Sequence, residues 1–182
     1  MRHFSIGELE AGIDRVMDAP PDIGMLAMIV RRPSVDTRET LESGELDLTE
    51  GLIGDIWRSR AGSSLGESPN RATQITVMNV RVISLIAGDA ERWPLAGDQL
   101  YVDFDIGEDN LPAGTRVGIG EAVIEVSSEP HTGCKKFSQR FGVDALRFVN
   151  SEAGRKLRLR GLNASVTLPG TIRLGDLVQK QA

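Results

Sequence analysis

The sequence of 182 residues contains one cysteine, two histidines and few aromatic residues, which make up 4% of the chain. A single cysteine cannot form an internal disulfide, and such usage is typical of proteins from a reducing compartment. One cysteine and two histidines also argue against a structural zinc site. These shortages disfavour the disulfide-rich and zinc-finger classes of small domain and direct attention to the one thiol, Cys134.

Long apolar runs are also missing from the chain. No stretch approaches the roughly 20 apolar residues of a membrane helix. The N-terminal segment MRHFSIGELEAGIDRVM lacks the apolar core of a secretory signal. With 40% hydrophobic and 26% charged residues, the composition is typical of a globular protein. We therefore expect a cytoplasmic protein without membrane attachment, and a single domain over residues 1–182.

Charge is unevenly distributed along the chain. Residues 131–182 contain ten lysines and arginines against three acidic residues, a balance of +7, whereas residues 1–130 contain eleven against twenty-three, a balance of −12. This asymmetry is compatible with an anionic partner near the C-terminal third, although a solvated basic face explains it at least as well. Nucleic acid is not expected as a partner, because the pI is about 5.1 and no nucleic-acid-binding motif occurs.

The apolar periodicity predicts a mainly β (α+β) protein. A capping box at Ser5 and Glu8 opens a helix over about residues 5–18. Apolar strands follow, with a predicted turn at Ser43-Gly44, a polar loop over residues 58–73 and a strand leading into a short buried helix. Helical spacing returns after the cysteine, and the chain ends in strands around Pro169-Gly170. This order predicts a β-barrel with peripheral helices.

The segment EPHTGCKKFSQRFG, residues 129–142, contains the side chains best suited to chemistry. Thr132 is the predicted helix N-cap, so Cys134 would lie in the first turn, where backbone N–H groups favour an anion. Lys135 and Lys136 add positive charge. A reactive or metal-binding thiolate benefits from this setting, whereas a core-filling cysteine does not need it. His131, three residues earlier, is either a candidate catalytic base or a simple loop histidine.

Two further loops contain candidate site residues. The segment GLIGD at 51–55 combines two glycines with Asp55, as a tight loop would, and a plain turn explains it equally well. The segment EDNLPAG at 108–114 places Asn110 in an Asx turn or with its amide toward a ligand. The residues alone leave these alternatives open.

Taken in order, these segments resemble the MOSC domain, named for the C-terminal part of molybdenum cofactor sulfurase. The similarity is strongest over residues 50–180 and rests on GLIGD, EDNLPAG, VGIGEAVIEV, HTGCKKFSQRFG and LNASVTLPGTIRLGD. The resemblance implies a strand-rich barrel, and it places Cys134 at the family's central cysteine, proposed to carry sulfur or bind molybdenum. The chain departs from the family at Gly133, where many members have proline, and after Asp55, where many have histidine.

The resemblance implies a sulfur carrier, or a protein that binds the molybdenum cofactor (molybdopterin) through Cys134. Alternatives are a molybdenum-dependent oxidoreductase that reduces N-hydroxylated compounds, and a cofactor-free interaction module. The expected partner is a sulfur donor or an electron-transfer protein, and no pyridoxal phosphate is expected in this domain. The sequence does not indicate an oligomeric state. The candidate cofactor-binding residues are Asp55, Asn110, Lys135, Lys136, Arg140 and Arg147, extended by Arg155, Lys156, Arg158 and Arg160.

Overall fold

A computed structural model describes residues 2–61 and 69–181. Its helices are α1 (Ile6–Glu10), α2 (Ile13–Met17), α3 (Trp57–Ala61), α4 (Val80–Ala87), α5 (Lys135–Phe141), α6 (Val143–Asn150) and α7 (Glu152–Lys156), with short 3₁₀ helices at Arg71–Thr73 and Ala90–Ala96. Its strands are β1 (Ile23–Arg31), β2 (Glu39–Leu41), β3 (Ser43–Asp47), β4 (Gly51–Leu52), β5 (Ile75–Asn79), β6 (Leu100–Asp103), β7 (Arg116–Ile119), β8 (Ala122–Val126), β9 (Leu162–Leu168), β10 (Gly170–Arg173) and β11 (Leu177–Lys180).

Seven strands close into a barrel in the order β1, β11, β7, β8, β9, β5, β6 and back to β1. The β5–β6 pair is parallel, because α4 and the following 3₁₀ helix return the chain to the same edge before β6 begins. Strand β2 extends the sheet beside β1, and β10, β3 and β4 form a second, three-stranded sheet. This architecture confirms the predicted β-barrel with peripheral helices.

The strands that face the helices are buried on both sides. In β5, Ile75 and Val77 point into the barrel core, whereas Met78 belongs to a second core between the barrel and the helices. Strand β6 repeats the pattern, with Val102 inside the barrel and Tyr101 toward the helices. Because successive side chains alternate across a strand, a continuous apolar run fills both cores at once. The helices α4, α5 and α6 are thereby fixed against the outer wall of the barrel.

Two predicted boundaries are wrong. The helix predicted over residues 5–18 is interrupted and forms α1 and α2, because the chain turns at Gly12, where an added Cβ would overlap the Leu85 side chain of α4. The turn predicted at Ser43-Gly44 lies within β3. An added Cβ on Gly44 would be 2.8 Å from Leu52 Cδ1, so this glycine serves the packing of β3 on β4 rather than a turn.

The polar segment at residues 58–73 is only partly irregular. Helix α3 occupies its beginning, and a 3₁₀ helix capped by Asn70 occupies its end. Residues 62–68, the middle of the predicted loop, lie outside the described residues. In the part of the chain that the structure describes, every helix is too short or too polar to span a lipid bilayer.

Candidate functional site

The loop at residues 127–134, called the cysteine loop, connects β8 to α5 and is held at both ends. Ser127 N donates to Asn163 O at 2.9 Å, and Asn163 Nδ2 donates to Glu129 O at 3.1 Å. Near the helix, Asn150 of α6 exchanges two hydrogen bonds with the Gly133 backbone, at 2.9 and 3.2 Å. These bonds fix the backbone on either side of the candidate residues His131 and Cys134.

Cys134 is itself the N-cap of α5, so the prediction that Thr132 caps the helix is wrong. Its backbone is extended (φ −118°, ψ 179°), and its carbonyl accepts the first helical bond, from Ser138 N at 3.1 Å. The preceding Gly133 approaches α6 so closely that an added Cβ would be 2.7 Å from Leu146 Cδ1. The loop therefore meets α6 before the helix begins, and the thiol lies exposed at the junction.

An open cavity of about 390 Å³ adjoins the cysteine loop. Thr132 lines it, and Cys134 follows two residues later along the chain. The other wall residues are Glu108, Pro112, Ala113, residues 127–131, Val149, Gly154, Arg155, Arg158, Arg160, Gly161 and Leu162. The cavity thus brings together the loop at 108–113, the cysteine loop and the segment between α6 and β9.

Three arginines line this cavity, and they differ in burial and in hydrogen-bond partners. Arg160 is buried, and its Nη1 donates to both carboxylate oxygens of Asp98 at 3.0 and 2.8 Å. Arg158 is half-buried and donates to the carbonyls of Ile106 and Leu111, which do not neutralise its charge. Arg155 is exposed. Arg155 and Arg158 therefore supply positive charge to the cavity, balanced in part by two exposed glutamates in its wall, Glu108 and Glu129.

His131 contacts the same buried carboxylate. Its Nδ1 lies 3.4 Å from Asp98 Oδ1, but it has no well-formed hydrogen bond among the described residues. Burial lowers the pKa of His131 to about 3; the charge of Arg160 acts in the same direction, and Asp98 opposes it. The imidazole is therefore neutral near pH 7 and a weak base, and the 16% of its side chain that is exposed faces the cavity that it lines. Its catalytic role stays a prediction.

The buried carboxylate of Asp55 accepts four hydrogen bonds from within the protein. Its carboxylate accepts from Arg32 Nε at 2.8 Å and Nη2 at 2.7 Å, and from the backbone N–H groups of Arg32 and Trp57 at 3.0 and 2.9 Å. Arg32 Nη1 continues to Gly97 O at 2.8 Å, next to Asp98. The GLIGD loop and the cysteine loop thus meet through one buried polar cluster, defined as Arg32, Asp55, Asp98, His131 and Arg160. Within it Asp55 has a structural role; ligand binding by Asp55 stays a prediction.

Asn110 shapes its own loop. Its Nδ2 donates to the carbonyls of Pro21 and Asp105 at 3.0 and 2.7 Å, and its Oδ1 accepts from Lys180 Nζ at 2.8 Å. Asn110 and Asp55 are not among the described wall residues of the cavity. The Asn110 loop nevertheless forms one wall of it through its neighbours Glu108, Pro112 and Ala113.

The remaining basic candidates lie on or beside the helices and are mostly ion-paired. Lys136 Nζ and Arg140 Nη2 approach the same oxygen of Asp36, at 3.2 and 3.0 Å. Arg147 lies 3.6 Å from Asp144, and Lys156 lies 3.1 Å from Asp109. Lys135 is exposed. Of the ten proposed cofactor-binding residues, only Arg155, Arg158 and Arg160 line the cavity as described.

Comparison with known protein families identifies the class to which this chain belongs. The chain belongs to the MOSC domain family, whose model matches residues 88–179. Its fold is similar to that of YuaD from Bacillus subtilis (17% identity, TM-score 0.64, covering 87% of this chain and 95% of that one). It is also similar to YiiM from Escherichia coli (17%, 0.55, 87% and 70%) and to YiiM from Geobacillus stearothermophilus (14%, 0.58, 87% and 75%). A comparison with curated proteins returned no match.

Several residues of this region escape sequence reasoning. Asp98, Arg32 and Asp36 lie far along the chain from Cys134, and no spacing connects them to it. A partial signal exists for the buried pairs, because Arg32 directly follows the apolar strand β1 and Asp98 precedes β6. Charges that adjoin buried strands need partners. The identity of each partner emerges only when the barrel closes.

Proposed function

We propose that this protein binds the phosphorylated pterin of the molybdenum cofactor in the cavity beside the cysteine loop. The observation that carries the proposal is the arginine-lined cavity whose wall includes Thr132, two residues from the exposed thiol of Cys134. MOSC domains are associated with the molybdenum cofactor, and the family membership of the chain supports the same ligand. Cys134 is the proposed soft ligand to the metal.

The residues present fit such a group. The cavity volume of about 390 Å³ lies within the range of small-molecule sites, about 300–1,000 Å³. Arg155 and Arg158 can donate charge-assisted hydrogen bonds to a phosphate, and the neutral ring of His131 can bond to a heterocycle. When bound, the cofactor would supply redox chemistry at molybdenum. The chain itself would hold the phosphate and present the thiol.

A second candidate function is sulfur transport, favoured by the exposure of Cys134. An exposed thiolate can attack the terminal sulfur of a donor persulfide. The donor's S–S bond breaks, its cysteine leaves as thiolate, and Cys134 becomes the persulfide. The exchange is balanced without an external oxidant. It needs access to the thiol but no cavity, so the cavity favours cofactor binding over transport alone.

The two candidates are tested on protein purified from a host that synthesises molybdenum cofactor. Bound pterin is measured as its fluorescent oxidation product. Arg155→Glu should retain about tenfold less pterin, because a charge-assisted hydrogen bond is lost and repulsion is introduced. The matched control is Arg147→Glu, which makes the same charge change at a residue with 73% of its side chain exposed.

Equal retention in both variants would contradict the cavity assignment. If retention falls only in Arg147→Glu, the basic face of α6 binds the phosphate instead. Wild-type protein without pterin but with sulfane sulfur would favour the carrier. Protein with neither would contradict both candidates and favour the cofactor-free interaction module.

A further inference from the structure

The segment at residues 33–38, called the latch loop, connects β1 to β2 and reaches α5. Thr37 N donates to Ser34 O at 3.2 Å, and the hydroxyl groups of Ser34 and Thr37 lie 2.6 Å apart, so the tip is a closed turn. Within this turn Asp36 adopts φ +61°, a left-handed conformation that aspartate tolerates better than most residues but rarely adopts. The turn points the Asp36 carboxylate at the helix that Cys134 begins.

Two cations of α5 converge on one oxygen of this carboxylate. Lys136 Nζ and Arg140 Nη2 lie 3.2 and 3.0 Å from Asp36 Oδ1. The two residues are four apart and therefore share one face of the helix. Arg140 is held in place by a second bond, from Nη1 to Leu95 O at 2.8 Å. Both cations lie on the helix whose N-cap residue, Cys134, carries the exposed thiol.

We propose that Lys136 and Arg140, on the helix that Cys134 caps, form a carboxylate- or phosphate-binding site, and that Asp36 occupies it as an internal ligand. The inference rests on the proposed function and deepens it, because the latch loop would regulate the access of anionic ligands to the thiol. An external anion has to displace Asp36 before it can bind both cations.

The contact is suited to displacement rather than to stability. Side chains of Asp36 and Lys136 are 59% and 53% exposed, and exposed ion pairs of this kind contribute little to folding. The pKa of Asp36 is lowered, first by the hydrogen bond from Lys136 and its charge, and also by Arg140 and Arg38, so the carboxylate is ionised near pH 7. The Asp36 carboxylate therefore competes with external anions for Lys136 and Arg140 over the whole physiological range of pH.

The single cysteine makes the site directly measurable. The thiol reaction rate is compared for two disulfide reagents, the dianionic dithionitrobenzoate and the neutral dithiodipyridine. Asp36→Asn should raise the ratio of anionic to neutral rates by about two- to fivefold, the factor that corresponds to an exposed ion pair. Inorganic phosphate should suppress the gain, and adding Lys136→Gln to the variant should abolish it.

The matched control is Glu10→Gln, which makes the same charge change at an exposed residue of α1, outside the cysteine loop and α5, and should leave the ratio nearly unchanged. An equal ratio in wild type and Asp36→Asn would overturn the proposal. So would an equal rise in Asp36→Asn and Glu10→Gln, because net charge alone would then explain it. The assay needs no molybdenum, so a protein that fails to bind the cofactor still tests the latch.

Discussion

His131 and its neighbours show how burial fixes the charge of a side chain beside the cysteine. Asp98 is fully buried, and Arg160 binds both of its oxygens. A protonated His131 would place a second cation next to Arg160 in a largely buried position. Neutral imidazole is therefore the stable form, which explains why the residue can offer hydrogen bonds but is a poor proton acceptor.

This arrangement predicts a specific dependence of stability on pH. Folding lowers the pKa of His131 from 6.5 to about 3. The unfolded chain therefore binds a proton that the folded chain does not, and the associated stability is lost as the pH falls from 6.5 toward 3. Between about pH 5.5 and pH 4, the free energy of unfolding of the wild type should fall faster than that of His131→Gln by about 1.4 kcal/mol per pH unit.

Denaturant melts of both proteins across this pH range measure the difference. Above about pH 7.5 the two slopes should coincide, because the imidazole is neutral in both the folded and unfolded states. If the two stability curves are parallel over the whole pH range, folding does not lower the pKa of His131.

The turn between α7 and β9 determines how closely the cavity wall approaches the barrel. Gly161 has φ +97°, and an added Cβ would overlap the carbonyl oxygen of Val77 in β5 and lie 3.3 Å from His131 Nδ1. Gly175, before β11, has a similar φ of +86° but no atom within 4 Å of an added Cβ. Alanine substitutions at these two positions therefore separate two contributions to the free energy of unfolding: the strain of the left-handed backbone and the steric overlap of the added Cβ.

We predict that Gly175→Ala destabilises the protein by about 1–2 kcal/mol, the cost of a left-handed conformation. Gly161→Ala should lower the free energy of unfolding by about 1–3 kcal/mol more than Gly175→Ala, because the Val77 backbone cannot move without distorting β5. Equilibrium unfolding in denaturant gives both values. Equal losses for the two variants would mean that the wall does not pack against the barrel as described.

The fold was largely predictable because its main signals are local. Strand β5 followed by α4, and the β7–β8 hairpin, can be derived from apolar runs and turns, and the ordered motifs indicate the MOSC barrel. The buried pairs Arg32–Asp55 and Arg160–Asp98 could not be derived, because each depends on which strand ends meet when the barrel closes. The same is true of Asp36, which reaches Lys136 across 100 residues of sequence.

The C-terminal third illustrates how the structure changes the interpretation of a charge pattern. Its excess of +7 was compatible with an anionic partner or with a solvated basic face. In the folded protein Lys136, Arg140 and Lys156 are paired with acids from the first 130 residues, and Arg160 is buried with Asp98. Much of the asymmetry is therefore internal pairing between the two parts of the chain. The charge left in the cavity is concentrated on Arg155 and Arg158.

Cys134, the only thiol in the chain, is central to both candidate functions. Serine is a favourable N-cap residue, so Cys134→Ser should leave the free energy of unfolding unchanged or raise it by less than about 1 kcal/mol. A hydroxyl group is not ionised at neutral pH and is a poor ligand for molybdenum or sulfane sulfur. Because the substitution replaces only the sulfur atom with oxygen, a loss of function without a loss of stability can be assigned to the thiol.

The most direct test is the molybdenum and sulfane-sulfur content of wild type and Cys134→Ser, both purified from a host that synthesises the cofactor. We predict near-stoichiometric molybdenum in the wild type, or sulfane sulfur if the protein is a carrier, and neither in a variant that unfolds at the same denaturant concentration. Equal contents in the two proteins, or a wild type that contains neither, would contradict the central role of Cys134.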